Sequence, residues 1–552
     1  MLWLGVALAA EPDPTLEVAS AEIERVMTAL EDHPDAPYFL SYGIVDRSTV
    51  RILGTHGALG HSTEDHKRIA DVDVRVGSPE LDNTHKIRDA SWFSEEPRQS
   101  ISLPLEGDAR ATQVILWRET DDAWRSATRR LSKVRANEAV KVERDDTSDD
   151  FSPVEAVVDI REPVALQVDT DAWEQLVREV SAVFLEYPEV YDSNVELVAE
   201  SRLLMYTSSE GTRIQHPRVR YRVSIWAATV AEDGMELQVY DYVDSTGPDG
   251  LPDGDALIAS AHASAQRVID LRNAPLLEPY TGPAILQGRA SGVFFHEIFG
   301  HRMEGHRQKD EDEGQTFTDM VGQPILPDFL DVVDDPTRAT YGGVDLNGFY
   351  PYDDEGVPAQ AVHLVTDGVL ETFLTSRMPI EHVPVSNGHG RRQPGNAVVA
   401  RQGNLIVEAS ETVSYEELRG LLLEELERQD KPYGLVVDDI TGGFTLTGRV
   451  IPNSFNVRPV AVWRVYADGR PDELVRGGDL IGTPLTTFSR IVAAGDDPQV
   501  FNGVCGAESG WVPVSAVAPS LLISEIEVQR KEKSNDRPPL TEPPGALTGE
   551  DS

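Results

Sequence analysis

A single cysteine, Cys505, stands in 552 residues, so no disulfide within the chain can support the fold. No apolar run approaches the ~20 residues that a bilayer-crossing helix needs. Basic residues are scarce: 49 Lys and Arg face 94 Asp and Glu, a formal charge of -45, and only 8 of the bases are lysine. Such a field repels nucleic acid and anionic membrane, which excludes both as main partners. The acidic excess is read chiefly as a source of solubility, in keeping with a salty environment. No glycine-rich phosphate loop sits between a strand and a helix, and no repeat of solenoid type is visible. What is present is globular in composition: 40% hydrophobic residues interspersed with turn formers.

The first residues, "MLWLGVALAAEPDP", join a short apolar run to Ala-Leu-Ala-Ala and then to an acidic, proline-containing stretch. This resembles the end of a secretory signal without its basic start. Either the true start lies upstream or the segment is an ordinary extension. Residues 1–10 are set aside from the fold, and the expectation is export to the periplasm or beyond, with a cytoplasmic location as the alternative.

From 11 to about 280 the pattern reads helix, strands, helix, strands, helix. "LEVASAEIERVMTALED" is apolar at helical spacing, "YFLSYGIVDRSTVRILGTHG" alternates like paired strands, and "RVGSPELDNTH" reads as loop. A charged helix is expected over Asp121–Asp146, a linker at "DTSDDFSP", and further helices at "DAWEQLVREVSAVFLEYPEV" and "ALIASAHASAQRVIDLRNAP". This order suits an α+β layered domain with antiparallel sheet. From 281 to 530 short Val, Ile and Leu strands dominate, interrupted by "SYEELRGLLLEELERQ", where Ser414 and Glu417 form a capping box. The fold class expected is therefore α+β in two domains, the second β-rich. Residues 531–552 are polar and proline-rich and read as a disordered tail.

The chemistry concentrates in "GVFFHEIFGHRMEG", residues 292 to 305. "TGPAILQ" before it reads as a strand, and Ser291 is placed to cap the helix that follows. That helix is apolar nearly all round, so it is expected to be buried. Burying His296, Glu297 and His301 is costly unless something satisfies them, and a metal would do so. At about 100° per residue, His296 and His301 lie about 140° apart on a straight helix, whereas a four-residue spacing would leave about 40°. A one-residue bulge, or unwinding at Gly300, would bring the two imidazoles to one side. A catalytic zinc takes three protein ligands and keeps one open position. The candidates for the third are Cys505, Glu304, His306, His363, His382 and His389. Glycines flank Cys505, which places it in a tight turn. His306 and His389 read as exposed polar residues beside a cleft, and the basic pair of "GHGRRQPGN", residues 388 to 396, as part of its lining.

"HEIFGH" matches the HExxxH pattern of the TldD/PmbA metallopeptidase family. "YDDEGVPAQAVHLVTDGVLETFLTSR", "SNGHGRRQPGNAVVA" and "GVCGAESGWVPVSAVAPSLLISEIEV" are similar to later segments of that family, in the same order, so the resemblance spans roughly 280 to 528. It implies a two-domain zinc peptidase in which His296, His301 and Cys505 hold one Zn2+ per chain. It also implies Glu297 as the general base acting on the attacking water, and Glu304 as a partner of an imidazole N–H or of Arg302 or Arg307. The implied substrate is peptide or unfolded protein, and the implied assembly a homodimer or a heterodimer with a related subunit. The alternative is a peptide-binding subunit that needs a related active partner. His306 departs from the short acidic or polar residue that often follows "EG" in the family.

Overall fold

The computed structural model describes residues 10–87, 99–139, 146–310, 313–445, 447, 455–482 and 487–531. The leader-like segment before Ala10 and the tail beyond Lys531 lie outside the described residues. The chain folds as a two-domain α+β protein, as expected from its pattern.

In the N-terminal half, helix α1 (Pro14–Leu30) precedes two long strands, β1 (Pro37–Thr55) and β2 (Ala58–Ser78). Helices α2 (Ala109–Glu138) and α3 (Thr170–Ala182) follow, then β3 (Asp192–Ser208), β4 (Arg213–Val230), β5 (Glu236–Ser245) and helix α4 (Gly254–Asn273). Each helix opens on an aspartate, Asp13, Asp108, Asp169 or Asp253. Its carboxylate accepts a first-turn N–H that would otherwise lack a partner.

β1 was expected to contain a turn at its polar centre, and "RVGS" to be loop. Instead β1 runs unbroken for 19 residues, and β2 carries "RVGS" at its end. The polar centre of β1 serves pairing. Asp46 accepts from Arg68 Nε at 2.7 Å across the strands, and the reversal falls at His56-Gly57, both at positive φ, 45° and 79°. The charged helix expected from Asp121 begins earlier, at Ala109.

The long strands run in the order β2-β1-β3-β4-β5, all antiparallel. One face turns Leu40, Tyr42, Ile44 and Met205 to α1 and α2, and Val50, Ile52, Leu197 and Val223 to α3 and α4. Among the described residues the other face carries none of these four helices, and charged side chains such as Arg47, Arg202, Arg218 and Arg222 lie on it.

The C-terminal half opens with β6 (Tyr280–Leu286) and helix α5 (Gly288–Ile298). Its further elements are β7 (Leu330–Asp334), β8 (Val362–Thr366), β9 (Asn404–Ala409), α6 (Tyr415–Arg428), β10 (Tyr433–Thr445), β11 (Phe455–Tyr466), β12 (Gly478–Gly482), β13 (Gln499–Ala507), β14 (Gly510–Ala518) and β15 (Leu521–Arg530). The capping box of Ser414 and Glu417 forms at the start of α6. β10, β6, β15, β12 and β11 pair in turn, and β11 pairs back to β10, so this sheet closes into a barrel without long free edges. A second sheet runs β8-β7-β9-β14-β13, with Val369–Leu370 beyond β8 and β13 at its far edge.

Helix α5 lies between barrel and sheet. Val293, Phe294, Phe295 and Ile298 are buried in the core that joins them, with Phe299, Phe317 and Phe488. Each such side chain stabilises the packed state by roughly 1.5–3 kcal/mol. Ser291 does not cap this helix. Gln287 is the N-cap, and Ser291 lies one turn inside with its hydroxyl donating to Leu286 O at 3.0 Å. The all-apolar surface lets the helix start as soon as β6 ends.

The two halves are tied where the site lies. Arg377, buried, makes a bidentate pair with Glu210 at 2.6 and 2.8 Å. Arg222 of β4 donates to Asn502 O at 3.1 Å, and Asn502 N donates to Tyr242 Oη of β5 at 3.0 Å. The polar face of the N-terminal sheet is thereby fixed against β13.

His216 of β4 is buried at this junction beside Tyr352. Burial, with Arg161 and Arg218 nearby, pushes its imidazole down from 6.5 to about 4. The native protein therefore holds His216 neutral while the unfolded chain takes up a proton below 6.5. Stability falls as pH drops through the window from 6.5 to 4, by about 3 kcal/mol from this residue. Denaturant titrations of the protein and His216→Phe should show a shallower acid-side decline in the variant; parallel declines would contradict the assignment.

Candidate metal centre

The backbone answers the five-residue spacing directly. Phe299 N still donates to Phe295 O and Phe299 stays in the right-handed helical region, at φ -101° and ψ -57°, before the chain tightens into a 3-10 turn over Gly300–Arg302. The expected break does fall at Gly300, but as a tightened 3-10 turn and not as a one-residue bulge or an unwound segment. A Cβ on Gly300 would collide with the Gln402 carboxamide, so any larger residue would force that side chain out of place. The result brings the His296 and His301 rings together, with centroids 5.1 Å apart.

Cys505 joins them from β13. Its Sγ lies 3.3 Å from His301 Nε2, and ligand atoms of His296, His301 and Cys505 all fall within 4.8 Å of one another. All three residues are buried. The expectation of a tight turn around Cys505 is corrected: it sits within a strand, opposite Val512 of β14. Its glycine neighbours make room instead. Gly506 lies under the Trp511 ring, and the reversal comes later, at Gly510, φ 81°.

Burial alone would push the Cys505 thiol up, but the two imidazoles hold it well below its usual range. Burial opposes charge on His301 and His296, yet the Cys505 sulfur raises both. The pull is mutual: the imidazoles favour the thiolate, and the sulfur offsets the cost of charge on each ring. His296 Nδ1 is buried with no hydrogen-bond partner, which is costly for a polar atom. Two ligands of a tetrahedral zinc, one sulfur and one nitrogen, stand about 3.5 Å apart. The 3.3 Å contact therefore fits such a donor set with one position left open.

Glu297 lies beside the trio, its Oε2 4.0 Å from His301 Nε2. Glu304 is fully buried and does both things foreseen for it. One oxygen accepts from His301 Nδ1 at 3.2 Å and Arg307 Nε at 2.9 Å, and the other from Arg401 Nε at 3.2 Å. Burial would raise Glu304, but His301, Arg307 and Arg401 hold it well below the usual carboxylate range.

Arg401, buried and not foreseen, continues the chain of bonds to Cys505 O at 3.0 Å, Ser509 Oγ at 2.9 Å and Gly510 O at 3.1 Å. Gln402 Nε2 donates to His296 O at 3.3 Å. Nothing in the local pattern of "AVVARQGN" marks either residue. Their role comes from the β9 side of the fold meeting α5.

The remaining candidates lie elsewhere. His363 and His382 are exposed. His389, read as exposed, is buried and pairs with Asp334 at 3.2 Å, because the loop holding it tucks beneath β7. His306, read likewise, is largely covered and pairs with Glu508, which also accepts from Arg307 Nη2 at 2.8 Å. Glu304, His306 and Glu508 form a second group of possible ligand atoms. Glu304 and Glu508 are already engaged by these cations, so the group reads as an ion-pair network.

Residues 279–530 match the model of the PmbA/TldA metallopeptidase C-terminal domain. A metalloprotease TldD homologue of Haemophilus influenzae is 27% identical over 348 residues, 61% of this chain and 67% of its own. A zinc metalloprotease TldD homologue of Saccharolobus solfataricus is 24% identical over 247 residues, 45% of this chain and 51% of its own. TldE from Thermococcus kodakarensis shares the fold over 92% of this chain and 100% of its own, with a TM-score of 0.58 at 12% identity. Fold and matches together define a metallopeptidase. Residues 279–530 are thus a metallopeptidase domain of the TldD/PmbA type.

Removing Glu304 would leave Arg401 and Arg307 buried with their main counter-charge gone. Glu304→Ala is expected to lose about 3–5 kcal/mol of stability, read as a lower denaturant midpoint. A loss below about 1 kcal/mol would show that the network does not hold the turn and hairpin together.

Proposed function

We propose that this metallopeptidase is zinc-dependent and hydrolyses peptide bonds in flexible or unfolded polypeptides. In this reading His296, His301 and Cys505 hold one zinc per chain, and Glu297 is the general base. The observation that supports it is the convergence of two buried imidazoles and the chain's only thiol on one point. A zinc ion bound there supplies a Lewis acid for the scissile carbonyl and for water.

The protein's own groups do the rest. Glu297 takes a proton from the attacking water and passes it to the leaving amine. Glu304 accepts the Nδ1–H of His301, which leaves Nε2, the nitrogen facing Cys505, as the coordinating atom. The thiolate charge tempers the Lewis acidity, which makes a well-placed base more important.

Substrate enters as an extended strand. Among the described residues β13 pairs only with β14, so its outer edge beyond Asn502, whose own N–H and C=O bond Tyr242 and Arg222, offers backbone groups to a peptide. Trp511 and Val504, 64% and 44% exposed on the same hairpin, give an apolar contact for substrate or for a second subunit. The assembly proposed is a dimer of this chain or a pair with a related one.

The test combines metal content with digestion of an unfolded protein. The parent should carry about one zinc per chain, lost in His296→Ala and in Cys505→Ala. Glu297→Gln should keep the metal and cleave on the order of a hundredfold more slowly or worse. Parent-rate cleavage by Glu297→Gln would remove the base from this account.

A further inference from the structure

The face of the N-terminal sheet turned away from its four helices carries an unusual line of charge. The register sets Lys67, Arg47, Arg202 and Arg218 opposite one another, one cation on each of β2, β1, β3 and β4. Like charges directly opposite destabilise a sheet. In a chain with 94 acids and 49 bases, such a row is not what folding alone would select.

Its compensation is incomplete. Lys67 pairs with Asp65 at 2.8 Å, while Glu200 serves both Arg202 at 2.6 Å and Arg47 at 3.9 Å. No described carboxylate pairs with Arg218, whose guanidinium donates to Asn347 O. Burial, with Arg391, Arg202 and Arg220 close by, disfavours its charge. Arg391, from the basic pair of "GHGRRQPGN", has no carboxylate partner either. It donates to Gln402 O at 2.6 Å and lies over the Tyr350 ring. Asp354, the acid whose field reaches Arg391 and Arg202, already accepts from Arg392 N at 2.7 Å.

The row leads to the metal centre. Gln402, which holds Arg391, also donates to His296 O at 3.3 Å. Asn347, which holds Arg218, donates its N–H to Asn502 Oδ1 at 3.1 Å. Asn502 stands three residues before Cys505, about 10 Å along β13. At the far end the row opens to solvent: Arg47 is 36% exposed and Lys67 57%. Four strands at about 4.8 Å spacing give about 14 Å, the length of roughly four extended residues.

We propose that this face docks an acidic, extended stretch of substrate polypeptide, with carboxylates along the Lys67–Arg47–Arg202–Arg218 row and the innermost between Arg218 and Arg391. The identity of the occupant as substrate rests on the peptidase reading above. Charge complementarity favours a short acidic segment over nucleic acid or membrane. Those would set a continuous anionic surface against a chain of -45, whereas a segment meets the row alone.

The test uses the full-length protein and two labelled Gly/Ser peptides, alike except that glutamates in one are glutamines in the other. Binding is followed by fluorescence anisotropy. The parent should bind the glutamate peptide roughly tenfold more tightly at low salt, and the preference should fade as salt is added. Arg202→Gln/Arg218→Gln should lose that preference, while Arg125→Gln, on an exposed turn of α2, should keep it. If the double variant melts early, Arg47→Gln/Lys67→Gln, at the open end, should still cut the preference roughly threefold at unchanged Tm. Equal parent affinity for both peptides, or full preference in the variants, overturns the proposal. So does a variant that alters the oligomeric state with peptide binding intact, which would make the face a contact between copies. Binding is read without turnover, so failure of the peptidase reading, with neither peptide cleaved, shows separately.

Discussion

The site depends on one buried carboxylate. Glu304 accepts from a histidine and two arginines that arrive from three parts of the chain: the 3-10 turn, the segment just after it, and the approach to β9. Inside a protein such a group is unfavourable unless every lone pair is used. Here the cost of burying charge becomes a geometric constraint. His301 can point only one way, Arg401 must reach the Cys505 strand, and the turn at Gly300 cannot relax back into helix without breaking the set. The imidazoles and the thiol are held by their supports before any ion is considered, as preorganisation requires.

The surrounding architecture serves the same end. A short helix packed on all sides by phenylalanines has little freedom to shift, since interiors are dense and a small displacement costs contacts everywhere. The closed barrel on one side and the open sheet on the other do different work. The barrel has no long edges to offer, while the sheet ends at the strand that carries Cys505. Rigid support and the last strand of the open sheet therefore meet at one residue. The N-terminal sheet closes the arrangement by fixing Arg222 and Tyr242 on Asn502, and its face turned away from its four helices concentrates positive charge in a strongly acidic molecule.

The sequence made some of this legible, and physics explains which parts. Periodicity found the helices and the sheet-rich second half, because burial of one face leaves a repeating trace. "HEIFGH" exposed the three central residues, because histidine and glutamate in an otherwise apolar helix demand a reason. Cys505 is one of six candidates for the third ligand until the resemblance singles it out, and its setting differs from the expected turn: the flanking glycines make space beside Trp511 on a strand. The polar centre of β1 was misread similarly, since cross-strand ion pairs look like turn composition in one dimension. Arg401, Gln402 and the cationic row left no local signal at all. They depend on register and on long-range contacts, which spacing along the chain does not encode.

The central claim is that two imidazoles and one thiolate are built to hold a single ion. X-ray absorption at the zinc edge on the purified full-length protein tests it most directly. The account predicts two imidazole nitrogens at about 2.0–2.1 Å and one sulfur at about 2.3 Å, with the sulfur signal gone in Cys505→Ser. A zinc environment without sulfur in the parent protein would contradict it.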